Sequence, residues 1–289
     1  TPRSNRRQRQ MCIRDSPYAE RPAYDDVIQG MSGAADLARK RGSESPDFAP
    51  MVMADKVSGL HAVSAVAMAL VHRARTGQGQ EVEIPMLESV ASFTLVEHLA
   101  GAVFDPPEGP MGYNRVLVPD RKPHRTKDGF MVVLPYTDRQ WRSFFEVAGR
   151  DDMRDDPRLD DAVLRAKQNA EMYQMIAEVM PNRTTAEWET ALGNADVPCV
   201  RINRLEDLEH DQHLAETGFF KTYDHPSEGR LKTTDAPLKF SASPAQATRR
   251  PAPRLGEHTH EILTEAGFTN TEIDRLVDEG ATGGKRSGS

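Results

Sequence analysis

The sequence is poor in cysteine, in aromatic residues and in long hydrophobic runs. It has two cysteines, Cys12 and Cys199, among 289 residues, which excludes a disulfide framework and favours a reducing compartment, here the cytoplasm. The longest apolar run extends from Ala62 to Val71 and is interrupted by Ser64. It is about half of the roughly 20 residues that a membrane-spanning helix needs, so we expect no membrane partner.

Positive charge is also in deficit, since the net charge is −7, and this argues against a nucleic-acid partner. Hydrophobic residues at 38% and charged residues at 28% are typical of a globular chain. Residues 1–16 contain five arginines and one aspartate but no apolar stretch, so they are not a secretory signal. We predict that 1–16 are a non-native or disordered head and that the Gly/Ser-rich residues 281–289 are a disordered tail.

Hydrophobic periodicity predicts an α/β arrangement in the first third of the chain. Apolar residues recur at three- and four-residue spacing from Lys56 to Arg75, which predicts a long helix, and Gly77 is a typical residue to end it. Charged and apolar residues alternate over residues 81–84, which predicts a strand. We predict a second apolar helix over residues 86–103. Helix, turn, strand and helix in this order are typical of α/β architecture.

The composition changes after this segment and indicates a second domain. Residues 104–111 are rich in proline and glycine and predict a linker. Residues 112–203 then predict a small α/β domain, in which Thr184 and Glu187 have the spacing of a helix capping box. Residues 205–280 predict further short helices and strand pieces.

Asp55 is the residue with the clearest chemical potential. A carboxylate directly ahead of a long helix lies at the positive end of the helix dipole, next to unpaired backbone N–H groups. An ionised carboxylate can attack an activated acyl group, and the N–H groups could stabilise the resulting oxyanion. The alternative is purely structural, because aspartate before a helix is a common N-cap.

Several segments, taken in order, identify a family resemblance. Tyr24–Gly33, Ala54–Gly59 and His72–Gln80 closely resemble the family III CoA transferases, the formyl-CoA, carnitine and bile-acid (L-carnitine dehydratase-like) type. The likeness continues through Arg125–Gly129 and ends at Arg250–Thr259, so that it covers roughly residues 17–280.

The resemblance implies a reaction and a nucleophile. Asp55 matches the family's catalytic aspartate, which attacks an acyl-CoA thioester and carries CoA to a free carboxylic acid through a covalent aspartyl intermediate. Coenzyme A and its acyl esters are then substrates, and the chemistry needs no permanently bound cofactor and no metal.

The resemblance also implies further site residues. Tyr24 matches a tyrosine that lines the same site as Asp55, and Met86 matches a residue close to the CoA thiol arm. A packed aromatic residue at a helix start and a core methionine are the structural alternatives. We assign Tyr24, Met86 and Arg21 to CoA binding. Arg115 or Arg121 could contact the acceptor carboxylate, because guanidinium pairs bidentately with carboxylates. The alternative for both arginines is a solvated position in a linker.

The family fold implies a Rossmann-like large domain, formed here by 17–103 and 205–280, and an interlocked homodimer. Relative to that fold, we expect an N-terminal part of the large domain to be missing from this chain. A catalytically inactive remnant or interaction module of the same fold is therefore an alternative to the enzyme. A related α-methylacyl-CoA racemase is less favoured, because the racemase histidine is replaced by Tyr24, whose phenol with a pKa near 10 cannot serve both protonation roles near neutral pH.

Overall fold

The structure is a computed structural model that describes residues 17–18, 21–245 and 250–283. The predicted head, residues 1–16, and most of the predicted tail lie outside the described residues. The chain divides into two compact units, Thr1–Ile202 and Asn203–Ser289, which are described separately. The assignment of 205–280 to the same domain as 17–103 stays a prediction.

The first unit begins with four helices, three of which pack around a small apolar core. Their bounds are α1 Asp25–Met31, α2 Asp36–Lys40, α3 Met53–Thr76 and α4 Met86–His98. Helices α1, α3 and α4 contact one another, because each contributes apolar side chains to one cluster. The buried members of this cluster are Ala23, Ile28, Ala54, Val57, Met86 and Val90.

The predicted long helix is confirmed as α3. It begins three residues earlier than the periodicity predicted. Asp55 therefore lies inside the first turn and not ahead of it. The helix ends as predicted, since Gly77 has φ +74° and its N–H donates to the Arg73 carbonyl, a left-handed conformation that glycine adopts without steric cost.

The predicted strand at 81–84 is wrong. Residues 78–85 have no strand hydrogen bonds, and nothing in the described part of the chain pairs with them. The second apolar helix is shorter than predicted, because α4 ends at His98 and a 3₁₀ turn, Ala100–Val103, follows it. Ala100 has φ +45°, a conformation that interrupts an α-helix.

A three-stranded sheet with flanking helices forms the rest of the first unit. The strands β1 His124–Arg125, β2 Phe130–Val133 and β3 Cys199–Arg201 are antiparallel in the order β1-β2-β3. The helices are α5 Asn114–Leu117, α6 Asp138–Val147, α7 Ala162–Lys167, α8 Asn169–Val179 and α9 Thr185–Asn194. Their core is aromatic, with Trp141, Phe144, Phe145 and Trp188 buried together.

The predicted capping box is confirmed at the start of α9. The Thr184 hydroxyl accepts the Glu187 backbone N–H, and the Glu187 carboxylate accepts the Thr184 N–H. Hydrogen bonds that the Thr184 N–H and hydroxyl donate to the carboxylate hold the pKa of Glu187 below its usual value. A short sequence motif thus fixes where this helix begins.

The described residues of the second unit form a hairpin and three short α-helices. Its elements are α10 Gln212–Glu216, the antiparallel strands β4 Phe220–His225 and β5 Gly229–Thr234, and helices α11 Thr259–Glu265 and α12 Asn270–Asp278. The described chain is therefore a mixed α/β protein that is mostly helical. All five of its described strands pair antiparallel, whereas a Rossmann-like sheet is mostly parallel. The Rossmann-like large domain therefore stays a prediction.

Candidate active site

Asp55 occupies the third position of α3, and its surroundings separate it from the role of an N-cap. The residue that precedes the helix, Val52, has no side-chain acceptor. The missing cap comes instead from Asp25 in the first turn of α1, whose Oδ1 accepts the Ala54 N–H at 2.6 Å and the Asp55 N–H at 3.4 Å. Asp25 therefore caps α3, which is the structural role that the sequence pattern also suggested for Asp55.

The carboxylate of Asp55 is left available for chemistry. Asp55 is exposed, and its carboxylate has neither a hydrogen bond nor an ion pair to another side chain of residues 21–245. It also lies within the first turn, where the helix dipole favours negative charge. An exposed, ionised carboxylate in this position can act as a nucleophile toward an acyl carbon.

The expected oxyanion donors are engaged elsewhere. The N–H of Met53 donates to the Met51 carbonyl and that of Lys56 to the Val52 carbonyl, while Ala54 and Asp55 donate to Asp25. These first-turn N–H groups therefore already have acceptors, two of them supplied by Asp25 and two by backbone carbonyls. Their part in stabilising an oxyanion stays a prediction.

The residues assigned to CoA binding lie around the same helices, in different environments. Tyr24 is exposed and immediately precedes α1. Met86 is buried at the start of α4, in the cluster that also holds Ala54, which is the position of a core methionine. The guanidinium of Arg21 lies 4.5 Å from the centre of the Tyr18 ring. Their contacts with CoA stay predictions.

Arg115 and Arg121 lie on a separate segment that follows α4. Arg115 is exposed and stacks over the Tyr136 ring at 4.8 Å, and hydrogen bonding to Tyr136 raises the pKa of its guanidinium. Arg121 accepts a hydrogen bond from Arg41 through its backbone carbonyl. The structure therefore places this segment against the end of α2, and contact of either arginine with an acceptor acid stays a prediction.

Sequence reasoning missed Asp25 and Gln29, which connect α1 to the start of α3. The Gln29 side chain is buried; its Nε2 donates to Asp25 Oδ2 at 2.6 Å and its Oε1 accepts the Ala49 N–H at 2.9 Å. Their four-residue spacing in the sequence was the available signal, since it places both on one face of a helix. Within the described ranges, no group of three His, Cys, Asp or Glu side chains could hold a metal ion.

Comparison with known proteins establishes the family. The model of CoA-transferase family III matches residues 13–259, and the chain belongs to this family. It is 28% identical to a formyl-CoA:oxalate CoA-transferase of Bradyrhizobium sp., over 92% of this chain and 67% of that protein. It is 26% identical to a succinate–glutarate CoA-transferase of Agrobacterium fabrum, over 86% of this chain and 62% of that protein.

Solved structures agree on the fold. A CaiB/BaiF family protein from Brucella suis matches with a TM-score of 0.68 and 25% identity, over 87% of this chain and 65% of that one. A hypothetical protein from Mycobacterium tuberculosis matches with a TM-score of 0.69 and 22% identity, which supports the fold alone. The chain thus has the family III CoA-transferase fold and spans about two thirds of the length of these relatives.

Proposed function

We propose that this protein transfers coenzyme A from an acyl-CoA thioester to a free carboxylic acid, with Asp55 as the nucleophile. The observation that carries the proposal is the Asp55 carboxylate, which is exposed at the start of α3 while Asp25 supplies the cap. Membership of the family supports the class of reaction. Swapping one thioester for another through a carboxylate conserves the thioester's free energy and needs no ATP.

The proposed reaction consists of balanced exchanges at two carbonyl carbons. An Asp55 oxygen attacks the thioester carbon of the donor, the C–S bond breaks, and a mixed anhydride and CoA thiolate form. The thiolate attacks the Asp55 side-chain carbonyl carbon, which releases the donor acid and leaves an aspartyl-CoA thioester. The acceptor carboxylate then reverses the two steps, leaves as its own CoA ester and restores Asp55.

The relatives suggest which acids to test first. Their names contain formyl-CoA, oxalate, succinate and glutarate, so we propose short mono- and dicarboxylic acids as the donor and acceptor class. Arg115 and Arg121 are the proposed contacts for the acceptor carboxylate, and Tyr24, Met86 and Arg21 for CoA. We also propose a reducing, cytoplasmic location, because two cysteines in the sequence cannot form a disulfide framework.

We propose a homodimer as the assembly, and exposed apolar residues of α3 and α4 support it. By length and composition α3 could also cross a membrane, a criterion that the core helices of soluble proteins satisfy as well. The charged residues of α3, Asp55 and Lys56 in its first turn and Arg73 and Arg75 in its last, fit a helix in a protein interface as well as a membrane-spanning helix. The absence of a membrane span stays a prediction.

The decisive test is chemical trapping at Asp55. The chain is incubated with formyl-CoA or succinyl-CoA, with and without oxalate or glutarate, and hydroxylamine is added before peptide mass analysis. We expect a hydroxamate at Asp55, and Asp55→Asn should lower CoA transfer by at least about a thousandfold, as loss of a covalent nucleophile does. Asp26→Asn, which removes an exposed carboxylate of α1, is the matched control and should transfer CoA normally.

Three results would contradict the proposal, each in a different way. Full transfer by Asp55→Asn would remove Asp55 from the mechanism. Exchange of the α-proton into deuterated solvent without any acceptor acid would favour a racemase. A properly folded chain that forms no acyl-aspartate with any member of the panel would favour an inactive remnant or interaction module.

A further inference from the structure

The carboxylate of Asp25 lies at the centre of a hydrogen-bond network that joins three separate segments. Its Oδ1 faces the first turn of α3, where it accepts the Ala54 N–H at 2.6 Å and the Asp55 N–H at 3.4 Å. Its Oδ2 accepts the Gln29 amide at 2.6 Å, and the same amide group reaches the Met51 carbonyl at 3.4 Å. The Gln29 side-chain oxygen in turn accepts the Ala49 N–H. Both oxygens of the Asp25 carboxylate therefore have partners that are themselves held in place.

The geometry is that of an N-cap supplied by another helix. A local cap accepts the N–H groups of the second and third helical residues, and here those residues are Ala54 and Asp55. Val52, the local cap position, offers no acceptor. The cap is needed, since an uncapped first turn leaves its N–H groups unpaired.

The remote cap has a consequence for Asp55 itself. An acidic residue at the third helical position commonly turns its carboxylate back toward the start of its own helix, as the glutamates of α9 and α12 do. Asp55 occupies this position but makes no such bond. Asp25 accepts the N–H groups of Ala54 and Asp55, so the first turn of α3 is capped without the Asp55 carboxylate.

We infer that Asp25 is a positioning residue, which caps α3 from α1 and thereby fixes the first turn that carries the attacking Asp55 carboxylate. The inference rests on the proposed function, since it assigns Asp25 a part in that reaction. Asp25 does not itself touch the reacting atoms. It acts through the first turn of the helix, whose orientation determines where the nucleophile points.

The test compares three variants of the full chain. Asp25→Ala removes both acceptor oxygens, Asp25→Asn keeps one acceptor oxygen and should retain part of the cap, and Asp26→Ala removes the neighbouring exposed carboxylate of the same helix turn. The first readout is the rate at which Asp55 is acylated by formyl-CoA or succinyl-CoA in a single turnover, together with kcat and KM. The second is the hydrogen exchange of the Ala54 amide, measured by NMR.

We expect Asp25→Ala to slow acylation and lower kcat by about tenfold to a hundredfold, a loss typical of a misplaced reacting group. KM should change by less than about twofold, because the variant leaves the CoA contacts in place. Its Ala54 amide should exchange at least about tenfold faster, because the bond that protects it is gone. Asp25→Asn should be intermediate in both readouts, and Asp26→Ala should match the unmodified chain.

Several results would overturn the inference. If Asp25→Ala acylates Asp55 at the normal rate, Asp25 does not position the nucleophile, even where Ala54 exchange increases. If Ala54 exchange is unchanged in Asp25→Ala, the cap itself is refuted. If the unmodified chain forms no acyl-aspartate, the proposed function fails, while Ala54 exchange still decides whether Asp25 caps α3; Asp25→Asn keeps the comparison available should Asp25→Ala not fold.

Discussion

The carboxylates of Asp25 and Asp55, both near the start of α3, differ in their hydrogen bonds and therefore in their roles. Asp25 accepts three donors, two of them from α3 and one from Gln29, and is therefore held in one orientation. Asp55 accepts none from the described residues and is exposed. A carboxylate with satisfied lone pairs is a poor nucleophile, so this division of labour favours Asp55 as the attacking group.

His124 shows the opposite situation, a polar side chain that is buried without a hydrogen bond. Its ring stacks on Tyr173 at a centroid distance of 6.4 Å, and within the described structure its Nδ1 has no partner. Burial, which disfavours the charged imidazolium, lowers the pKa of His124 from 6.5 to about 4. The folded protein therefore binds a proton at this site less readily than the unfolded chain does.

The sign of this shift predicts a loss of stability in mild acid. Between pH 6.5 and about 4 the unfolded chain binds the His124 proton and the folded chain does not, so the free energy of unfolding falls as the pH decreases. The loss is at most about 3 kcal/mol. His124→Phe, which keeps an aromatic ring against Tyr173, should remove this part of the pH dependence.

The measurement is urea unfolding at several pH values between 7 and 4, followed by tryptophan fluorescence. Both tryptophans, Trp141 and Trp188, are buried in the same unit as His124, so they report on its unfolding. His210→Phe removes an exposed histidine of the second unit and is the control with which His124→Phe is compared. An identical pH dependence in His124→Phe and the unmodified chain would contradict the assignment.

At the scale of elements, the segment after α4 is held by close backbone contacts. His98 at the end of α4 is buried, and its Nδ1 and carbonyl accept the N–H groups of Tyr113 and Gly112. Gly101 lies directly against Gly109, where a Cβ on Gly101 would be 2.6 Å from the Gly109 Cα. The predicted linker, 104–111, is therefore packed in part against the 3₁₀ turn that follows α4.

This contact predicts different effects for two similar substitutions. Gly101→Ala forces backbone against backbone and should lower the free energy of unfolding by about 1–3 kcal/mol. Gly109→Ala is the matched control, because its Cβ would lie 3.6 Å from the Gly101 Cα, an ordinary contact, and it should change stability by less than about 1 kcal/mol. Denaturant midpoints for both variants test this, and equal midpoints would refute the close approach.

The elements that the sequence predicted well are those whose signals are local. The capping box of Thr184 and Glu187 and the glycine that ends α3 depend on residues a few positions apart, so their geometry can be inferred from spacing. The strand predicted at 81–84 failed because a strand requires a partner, and the described chain provides none. The sequence predicted Asp55 as the candidate nucleophile. It did not predict that Asp25 caps α3, since Asp25 lies 30 residues away from Asp55 in the sequence.

At the scale of the whole molecule, the most informative surface is the apolar one on α3 and α4. Leu60 and Val63 of α3 are 71% and 69% exposed, and Val96 of α4 is 81% exposed. Between Val57 and Val71, α3 has no charged residue apart from the titratable His61. A helix that is apolar on most of its circumference is normally buried, so this surface, defined by the exposed apolar residues of α3 and α4, requires a cover.

We expect a second copy of the chain to provide that cover, in agreement with the proposed homodimer. Sedimentation or light scattering at micromolar concentration should give the mass of a dimer. The double variant Leu60→Glu/Val63→Glu should weaken the dimer by at least about tenfold, because two carboxylates would be buried without partners. Leu205→Glu, at an 82% exposed apolar residue of the second unit, is the matched control and should remain dimeric. If the unmodified chain is monomeric and floats with phospholipid vesicles, a membrane covers this surface. If the double variant remains dimeric, the interface lies elsewhere.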